Sequence, residues 1–349
     1  MMTLKGMTLE ELENYFIIIN QPKYRAKQVF NWLYNHNVSS YDLMNNIPKD
    51  LRNYLTENTN FDTLTTEKIK FDDIEYTQKI VYNTLDDKKI ETVIIPDKDR
   101  VTLCISTQVG CPLDCKFCAT GQFGYKRNLS AGEIVDQYFI TQRSLKQKIT
   151  NIVYMGMGEP FINFDATLKS LDIFTNELAT KLSRHHITVS TVGIPDKIIK
   201  LADSKYRVKL ALSLHSCFDE IRSKIMPINK KYPLNDVIDA LKYYSQKTGQ
   251  RITFEYTMLD GINDRLEDIN ALVKLTKQLP SKVNIIPFNS IEHMIKDPNS
   301  LSAQLRPTSR EKIEEFANIL RDKNVTALVR NTQGNKIKAA CGQLALAND

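Results

Sequence analysis

Three thiols on one short loop carry the most distinctive chemistry in this sequence. In GCPLDCKFCATG, residues 110–121, Cys111, Cys115 and Cys118 form a C-x3-C-x2-C run. Thiolates at such spacing hold a closed tetrahedral zinc or an iron-sulfur cluster, and both normally take four protein ligands. Zinc would have to recruit a fourth ligand, for which Cys104 and His215 are available. A cluster with three thiolates instead leaves one iron open to a ligand from outside the protein. A second stretch, MGMGEP at Met155–Pro160, is a Gly-rich turn ending in the carboxylate of Glu159, a weak signal taken alone. Two further thiols stand apart: Cys104, seven residues before the run, and Cys341, near the end of the sequence in KAACGQLALAND. A lone thiol is ordinarily a packed residue. Glu91, the carboxylate among the β-branched residues of KKIETVIIP, reads by itself as a strand-edge surface residue.

Such residues react only if a fold gathers them. From Thr102 onward, short β-branched segments alternate with helical periodicity: TLCIST, Ser130 to Lys146, NIVYM, a helix after Asn163, then HITVST, VKLALSL, ITFEYTML, KVNIIPF and VTALVR. Repeated βα units with right-handed crossovers predict an α/β parallel sheet, and six or so units predict a partial (β/α)6 TIM-like barrel. Loops at the C-terminal strand ends form the catalytic face of such barrels. The cysteine loop leads into a helix whose start is marked by a Ser130/Glu133 capping box. Before residue 96, helix-like stretches at Leu9 to Asn20, Pro22 to His36 and Lys49 to Glu57 precede two alternating segments, EYTQKIVYNTL and KKIETVIIP, which predict a small α+β domain. The expected organisation is an accessory domain over 1–95, a barrel over 96–335 and a tail over 336–349 that carries Cys341.

The cysteine run, with Phe117 just before its last Cys, resembles the signature of the radical S-adenosylmethionine superfamily, although three-thiol runs also occur in zinc modules. In that superfamily the methionyl amino and carboxylate groups of the cofactor chelate the open iron. The resemblance implies that Gly158 and Glu159 hold the cofactor's ammonium group. It also implies that Ser190 in VSTVG, Ser213, Leu214 and His215 in SLH, and Asn289 in IPFN touch the cofactor. Each lies at the end of a predicted strand, and together they would line one barrel face.

From KYRAKQVFNWLY through ETVIIP, NLSAGEI, MGMGEP, MPIN, EYTMLDGIND and VNIIPFN to AACGQL, nearly the whole sequence is similar to the RlmN family of adenosine methyltransferases. The resemblance implies one 4Fe-4S cluster per chain, two S-adenosylmethionine molecules per turnover, and methylation of adenosine carbon 2 in 23S rRNA and in tRNA next to the anticodon. Carbon 2 is electron-poor, so a polar methyl transfer is unfavourable and radical addition avoids the difficulty. In this reading Cys341 takes a methyl group by displacement, as an accessible thiolate can. Hydrogen removal then yields a carbon radical that joins the adenine, Glu91 takes the carbon-2 proton, and Cys104 resolves the adduct by forming a transient disulfide with Cys341. The same motifs also resemble Cfr, which methylates carbon 8 and confers antibiotic resistance, and the two readings differ in the site of methylation.

Composition agrees with a cytoplasmic enzyme. Six cysteines in 349 residues, with no basic and apolar leader at MMTLKGMTLEEL, argue against a secreted disulfide scaffold. No apolar run approaches the ~20 residues that span a bilayer. A net charge of +6 is weak support for a polyanionic partner. In PKYRAKQVFNWLYNH, helical spacing places most of Tyr24, Phe30, Trp32 and Tyr34 in a core and leaves Lys23, Arg25 and Lys27 as RNA candidates, with Lys126 and Arg127 beside the cysteine loop. The expected partners are 23S rRNA, tRNA and an electron donor such as flavodoxin or ferredoxin, with the chain acting as a monomer and no membrane contact. Asn335, Lys336 and Lys338 depart from the acidic residues usual before the family's tail Cys. Cys217 reads as structural, and His185 and His186 as a solvated strand entry.

Overall fold

A computed structural model describes residues 1–345. Among the described residues, ten strands form one sheet whose spatial order follows the chain: β1 (Leu64–Phe71), β2 (Gln78–Thr84), β3 (Lys89–Asp97), β4 (Arg100–Cys104), β5 (Asn151–Tyr154), β6 (Ile187–Thr191), β7 (Lys209–Ser213), β8 (Ile252–Met258), β9 (Ser281–Pro287) and β10 (Ala327–Val329). Strands β1 to β4 pair antiparallel, and every neighbouring pair from β4 to β10 is parallel. Parallel neighbours require crossovers. Helices Ala131–Ser144, Phe164–Thr175, Pro195–Asp203, Leu234–Thr248, Leu266–Thr276 and Arg310–Asp322 lie between the successive parallel strands. The sheet ends at β1 and β10 without closing, so the α/β partial barrel expected from the alternation is the observed architecture, with short β10 added beyond the six strands β4 to β9.

Burial explains the strand types. Every residue of β8 (ITFEYTM) is buried, as in a central parallel strand covered on both faces, whereas β1 (LTTEKIKF) buries only its first residue. The expected capping box is present: Ser130 Oγ accepts from Glu133 N at 3.2 Å, and Glu133 Oε2 accepts from Ser130 N at 2.8 Å. Helices Leu9–Ile18, Lys23–Tyr34 and Lys49–Asn58 bury Leu12, Phe16, Val29, Phe30, Leu33 and Leu55 in a core continuous with that of the barrel. The division expected at 95/96 falls inside β3, and β1 to β3 extend the barrel sheet. Residues 346–349 of the expected tail lie outside the described residues.

Candidate active site

The cysteine loop leaves the sheet after β4. Residues Gln108–Gly110 pair antiparallel with Tyr125–Asn128 and close the loop between them. Within it, Cys111 N donates to Gly124 O at 3.1 Å and Cys118 N to Cys115 O at 3.2 Å. Gly121 sits so close that a Cβ there would lie 2.9 Å from Cys115 N, and only glycine lets this turn press on the loop. Lys116 N donates to Ile225 O at 2.9 Å, tying the loop to the helix Asp219–Ile225. Burial pushes the Cys111 thiol up to about 12 and Cys115 well above the ordinary thiol range, and the other loop thiols add to both rises. Coordination to iron deprotonates a thiol outright, so this does not oppose ligation. Among the described residues, no three His, Cys, Asp or Glu side chains gather closely enough to hold a single metal ion. A tetrahedral zinc needs its ligands around one point, whereas a cuboidal cluster seats each thiolate on a separate iron. Three spaced thiols on one loop fit the cluster.

Beside this loop lies the turn after β5. Gly158 has φ +99°, and a Cβ there would meet Gln108 Cβ at 2.5 Å. That close approach lets Glu159 N donate to Gln108 Oε1 at 2.9 Å. The Glu159 carboxylate is buried and accepts from Thr191 Oγ1 (2.6 Å), Val192 N (3.0 Å) and Phe161 N (3.1 Å). Burial outweighs these bonds and raises Glu159 to about 7. An arriving ammonium group would favour its ionised form. On the strand next to β5, Ser190 lies in register with Ala211 of β7, two residues before Ser213. Leu214 and His215 each donate a backbone N–H to Glu255 O. His215 takes φ +55°, accepts from Thr257 N at 3.0 Å on Nδ1, and packs its ring 4.4 Å from that of Phe117 in the cysteine loop. Burial lowers His215 to about 3, so the ring is neutral with its proton on Nε2. Asn289 Nδ2 donates to Cys341 O at 3.2 Å, so this expected cofactor contact also holds the tail, and its side-chain oxygen remains an acceptor.

The tail closes over the site from the opposite side. Ala119 N donates to Gly342 O at 2.7 Å and Thr120 Oγ1 to Leu344 O at 2.5 Å, latching the tail to the helix that follows Cys118. Cys341 is exposed to solvent, yet surrounding protein crowds its sulfur and pushes the thiol up to about 12, with Glu255 and Cys118 adding to the rise. Burial likewise takes Cys104, at the end of β4, to about 12, with the Cys341 thiol adding to the rise. Glu91 is 2% exposed in β3, contrary to the bland strand-edge reading. Its Oε1 pairs with Lys79 Nζ at 2.9 Å and its Oε2 accepts from Ala345 N at 2.9 Å. The departures before Cys341 have partners: Lys336 Nζ lies 3.3 Å from Asp73 Oδ1, Asn335 Oδ1 accepts from Gln343 Nε2 at 2.7 Å, and Lys338 O accepts from Lys79 Nζ at 3.1 Å. Gly334 N also donates to Glu75, so the turn between β1 and β2 is the dock for the tail.

Two buried charges carry no motif signal in the sequence: Lys79 in β2 and Arg222 in the helix Asp219–Ile225. Arg222 donates to Leu214 O (3.1 Å), Val192 O (2.6 Å) and Ser213 O (3.1 Å), bracing the loops that frame the pocket. Phe30 and Tyr34 are buried in the core as expected, while the RNA candidates Lys23 and Lys27 lie near Glu13, at 4.0 and 3.9 Å. Arg127 is engaged by Asp86 and Glu133. His185 and His186 are exposed in a short 3-10 turn, and Cys217 packs partly buried against the core.

Comparison with known proteins makes this a methyltransferase of the radical SAM superfamily. Residues 105–275 match the Radical SAM superfamily profile, and residues 2–60 match the ribosomal RNA large subunit methyltransferase N-terminal domain. A probable dual-specificity RNA methyltransferase RlmN of Thermotoga sp. (strain RQ2) is 41% identical over 346 residues, covering 99% of this chain and 98% of that protein. The dual-specificity RNA methyltransferase RlmN of Geobacter sulfurreducens is 40% identical over 344 residues, covering 99% and 92%. The crystal structure of a radical SAM methyltransferase from Sphaerobacter thermophilus superposes with a TM-score of 0.92 at 40% identity, covering all of both chains. The chain belongs to the RlmN family.

Proposed function

We propose that the protein methylates carbon 2 of adenosine in 23S rRNA, at the peptidyl transferase centre, and in tRNA next to the anticodon. When bound, the cluster and S-adenosylmethionine supply the methyl group and the hydrogen-abstracting radical. Cys111, Cys115 and Cys118 would hold the cluster, and Glu159, with Gly158, Ser190, Ser213, Leu214, His215 and Asn289, would orient the cofactor. Cys341 accepts the methyl group on its sulfur and carries it to the base. Glu91 receives the proton from the modified carbon, and Cys104 attacks Cys341 to release the product. The observation that carries this reading is the docked tail, whose backbone is held at Cys341 O by Asn289 and at Ala345 N by the Glu91 carboxylate. Membership of the RlmN family supports the carbon-2 reading that the resemblance implies over the carbon-8 reading of Cfr. The groove lined by Lys70, Phe71, Lys336, Ile337 and Lys338, between β1 and the tail, offers a basic approach for RNA phosphates. The target base must leave its stack to enter the barrel mouth. Electrons come from a flavodoxin or ferredoxin, and the enzyme works as a cytoplasmic monomer.

The test is Cys104→Ala. If Cys104 resolves the adduct, this variant stops with Cys341 joined to adenine through a methylene bridge. It should purify with covalently attached RNA, seen as a nuclease-sensitive band above the free chain on a denaturing gel, whereas Cys341→Ala and the double variant should carry none. A Cys104→Ala protein free of RNA that still makes methylated adenosine would sink the two-thiol mechanism.

A further inference from the structure

Lys79 and Glu91 stand on neighbouring antiparallel strands, with Lys79 opposite Val93 and Glu91 opposite Val81, so they form a diagonal pair on one face of the sheet. Both side chains are buried, at 3% and 2% exposure. Each has a second bond: Lys79 Nζ donates to Lys338 O at 3.1 Å, and Glu91 Oε2 accepts from Ala345 N at 2.9 Å. The ammonium therefore bridges the carboxylate and the backbone three residues before Cys341, while the carboxylate bridges the ammonium and the backbone four residues after it. Desolvation offsets most of the attraction in a buried ion pair, so this pair adds little net stability; its effect is to fix where its members point. With the tail docked, both oxygens of Glu91 are occupied. Oε1 is held by a side chain on the sheet, and Oε2 by a backbone amide of the tail.

We infer that Lys79 is the positioning residue for Glu91, and that it couples the alignment of this base to the seating of the Cys341 tail. The inference rests on the assignment of Glu91 as the base. In the step concerned, the C–H bond at the modified adenine carbon breaks, the proton passes to Glu91 Oε2 vacated by Ala345 N, and the bonding pair stays with the purine. Lys79 transfers no proton. It keeps Oε1 fixed, so that loss of the tail amide leaves Oε2 aimed rather than free to turn.

The test uses full-length, cluster-loaded enzyme and an RNA substrate bearing deuterium at adenosine carbon 2, with Lys79→Met, Lys79→Arg and Glu91→Gln. Lys79→Met should still acquire the S-methyl group on Cys341, measured by peptide mass spectrometry, because that step uses neither Lys79 nor Glu91. Its release of methylated RNA should slow on the order of 100-fold, the scale of a misplaced reacting group. Covalently bound RNA should accumulate, a deuterium isotope effect should emerge on product formation, and amide exchange should quicken across 334–345. Lys79→Arg, which keeps the cation, should recover most of the rate and the slow exchange. Normal turnover by Lys79→Met without adduct or isotope effect, while Glu91→Gln does accumulate adduct, overturns the positioning role and leaves the base assignment standing. Loss of Cys341 methylation together with turnover in both Lys79 variants also overturns it, since that pattern is structural. A Glu91→Gln enzyme that turns over without adduct overturns the base assignment itself.

Discussion

Glu159 shows how burial at a single residue links cofactor binding to pH. Three donors converge on its carboxylate, yet desolvation lifts it from the usual 4.5 to about 7. Between those values the folded chain holds a proton that the unfolded chain has lost, so the contribution of this group to stability is complete below 4.5 and declines as pH rises to 7. The cofactor-free protein should therefore lose thermal stability through this window, and Glu159→Gln should flatten that part of the melting-temperature profile. Binding runs the other way. An ammonium group prefers the ionised carboxylate, so S-adenosylmethionine should bind more tightly at about pH 8 than at about pH 6, and in Glu159→Gln more weakly and with little pH dependence; calorimetry on cluster-loaded protein checks both. The titratable neighbours behave differently: His215 stays neutral, and the cysteine thiols lie far above the window. At this scale, the residues proposed for the site were picked out by side-chain type or family resemblance: the Cys111, Cys115 and Cys118 run, the Gly158-Glu159 turn, and Cys104, Cys341 and Glu91. The burial of Lys79 and Arg222 was not legible, because a lysine in TQKIVY and an arginine in DEIRSK are covered by distant chain segments.

Among the elements, the turns that carry the site matter more than the strands that carry the turns. Gly158 combines a positive φ with contact to Gln108 that leaves no room for a methyl group. Gly158→Ala should displace Gln108, release Glu159 N from its 2.9 Å bond and cost about 1–3 kcal/mol, with the larger effect on cofactor affinity. A melting curve together with a binding isotherm separates the two. Element types followed from hydrophobic period wherever a strand is covered on at least one face, as in β3, β8 and β9. Strand β1 gave no such signal, since LTTEKIKF is an edge strand exposed along most of its length. The turn between β1 and β2 likewise carries no periodic signal, although Glu75 and Asp73 receive the tail there. Sequence patterns record burial against the core, and a dock built on the outside of a sheet leaves no periodic trace.

Over the whole molecule, one buried charge cluster decides how the N-terminal residues meet the barrel. Lys5 Nζ lies 2.5 Å from Asp62 Oδ1 and 2.7 Å from Asp136 Oδ1, and Asp136 Oδ2 accepts from Thr63 N at 2.6 Å and Thr63 Oγ1 at 2.7 Å. Arg143 completes the set at 2.6 Å from Asp62 Oδ2. Asp136 and Arg143 belong to the helix Ala131–Ser144 that follows the cysteine loop. Beside them, Gly6 at φ +90° approaches Gly132 so closely that a Cβ on it would lie 2.1 Å from Gly132 N. The N-terminal helices are thus fixed to the element that positions the cluster, and their exposed lysines keep a set orientation to the barrel mouth. Burial raises Asp136, with Lys5 the main opposing influence. Lys5→Met would strand that carboxylate without its cation and should cost about 3–5 kcal/mol in urea unfolding. Adding Asp136→Asn to the same chain should recover part of the loss, because the uncompensated charge, rather than the lost attraction, carries most of the penalty. If the double variant is no more stable than Lys5→Met, the cluster is held by packing instead. If, as proposed, Cys341 accepts the methyl group at a site built from the barrel and the tail, the folded fraction of Lys5→Met should keep that step while losing methylation of RNA. That split would assign the N-terminal residues to presenting the substrate.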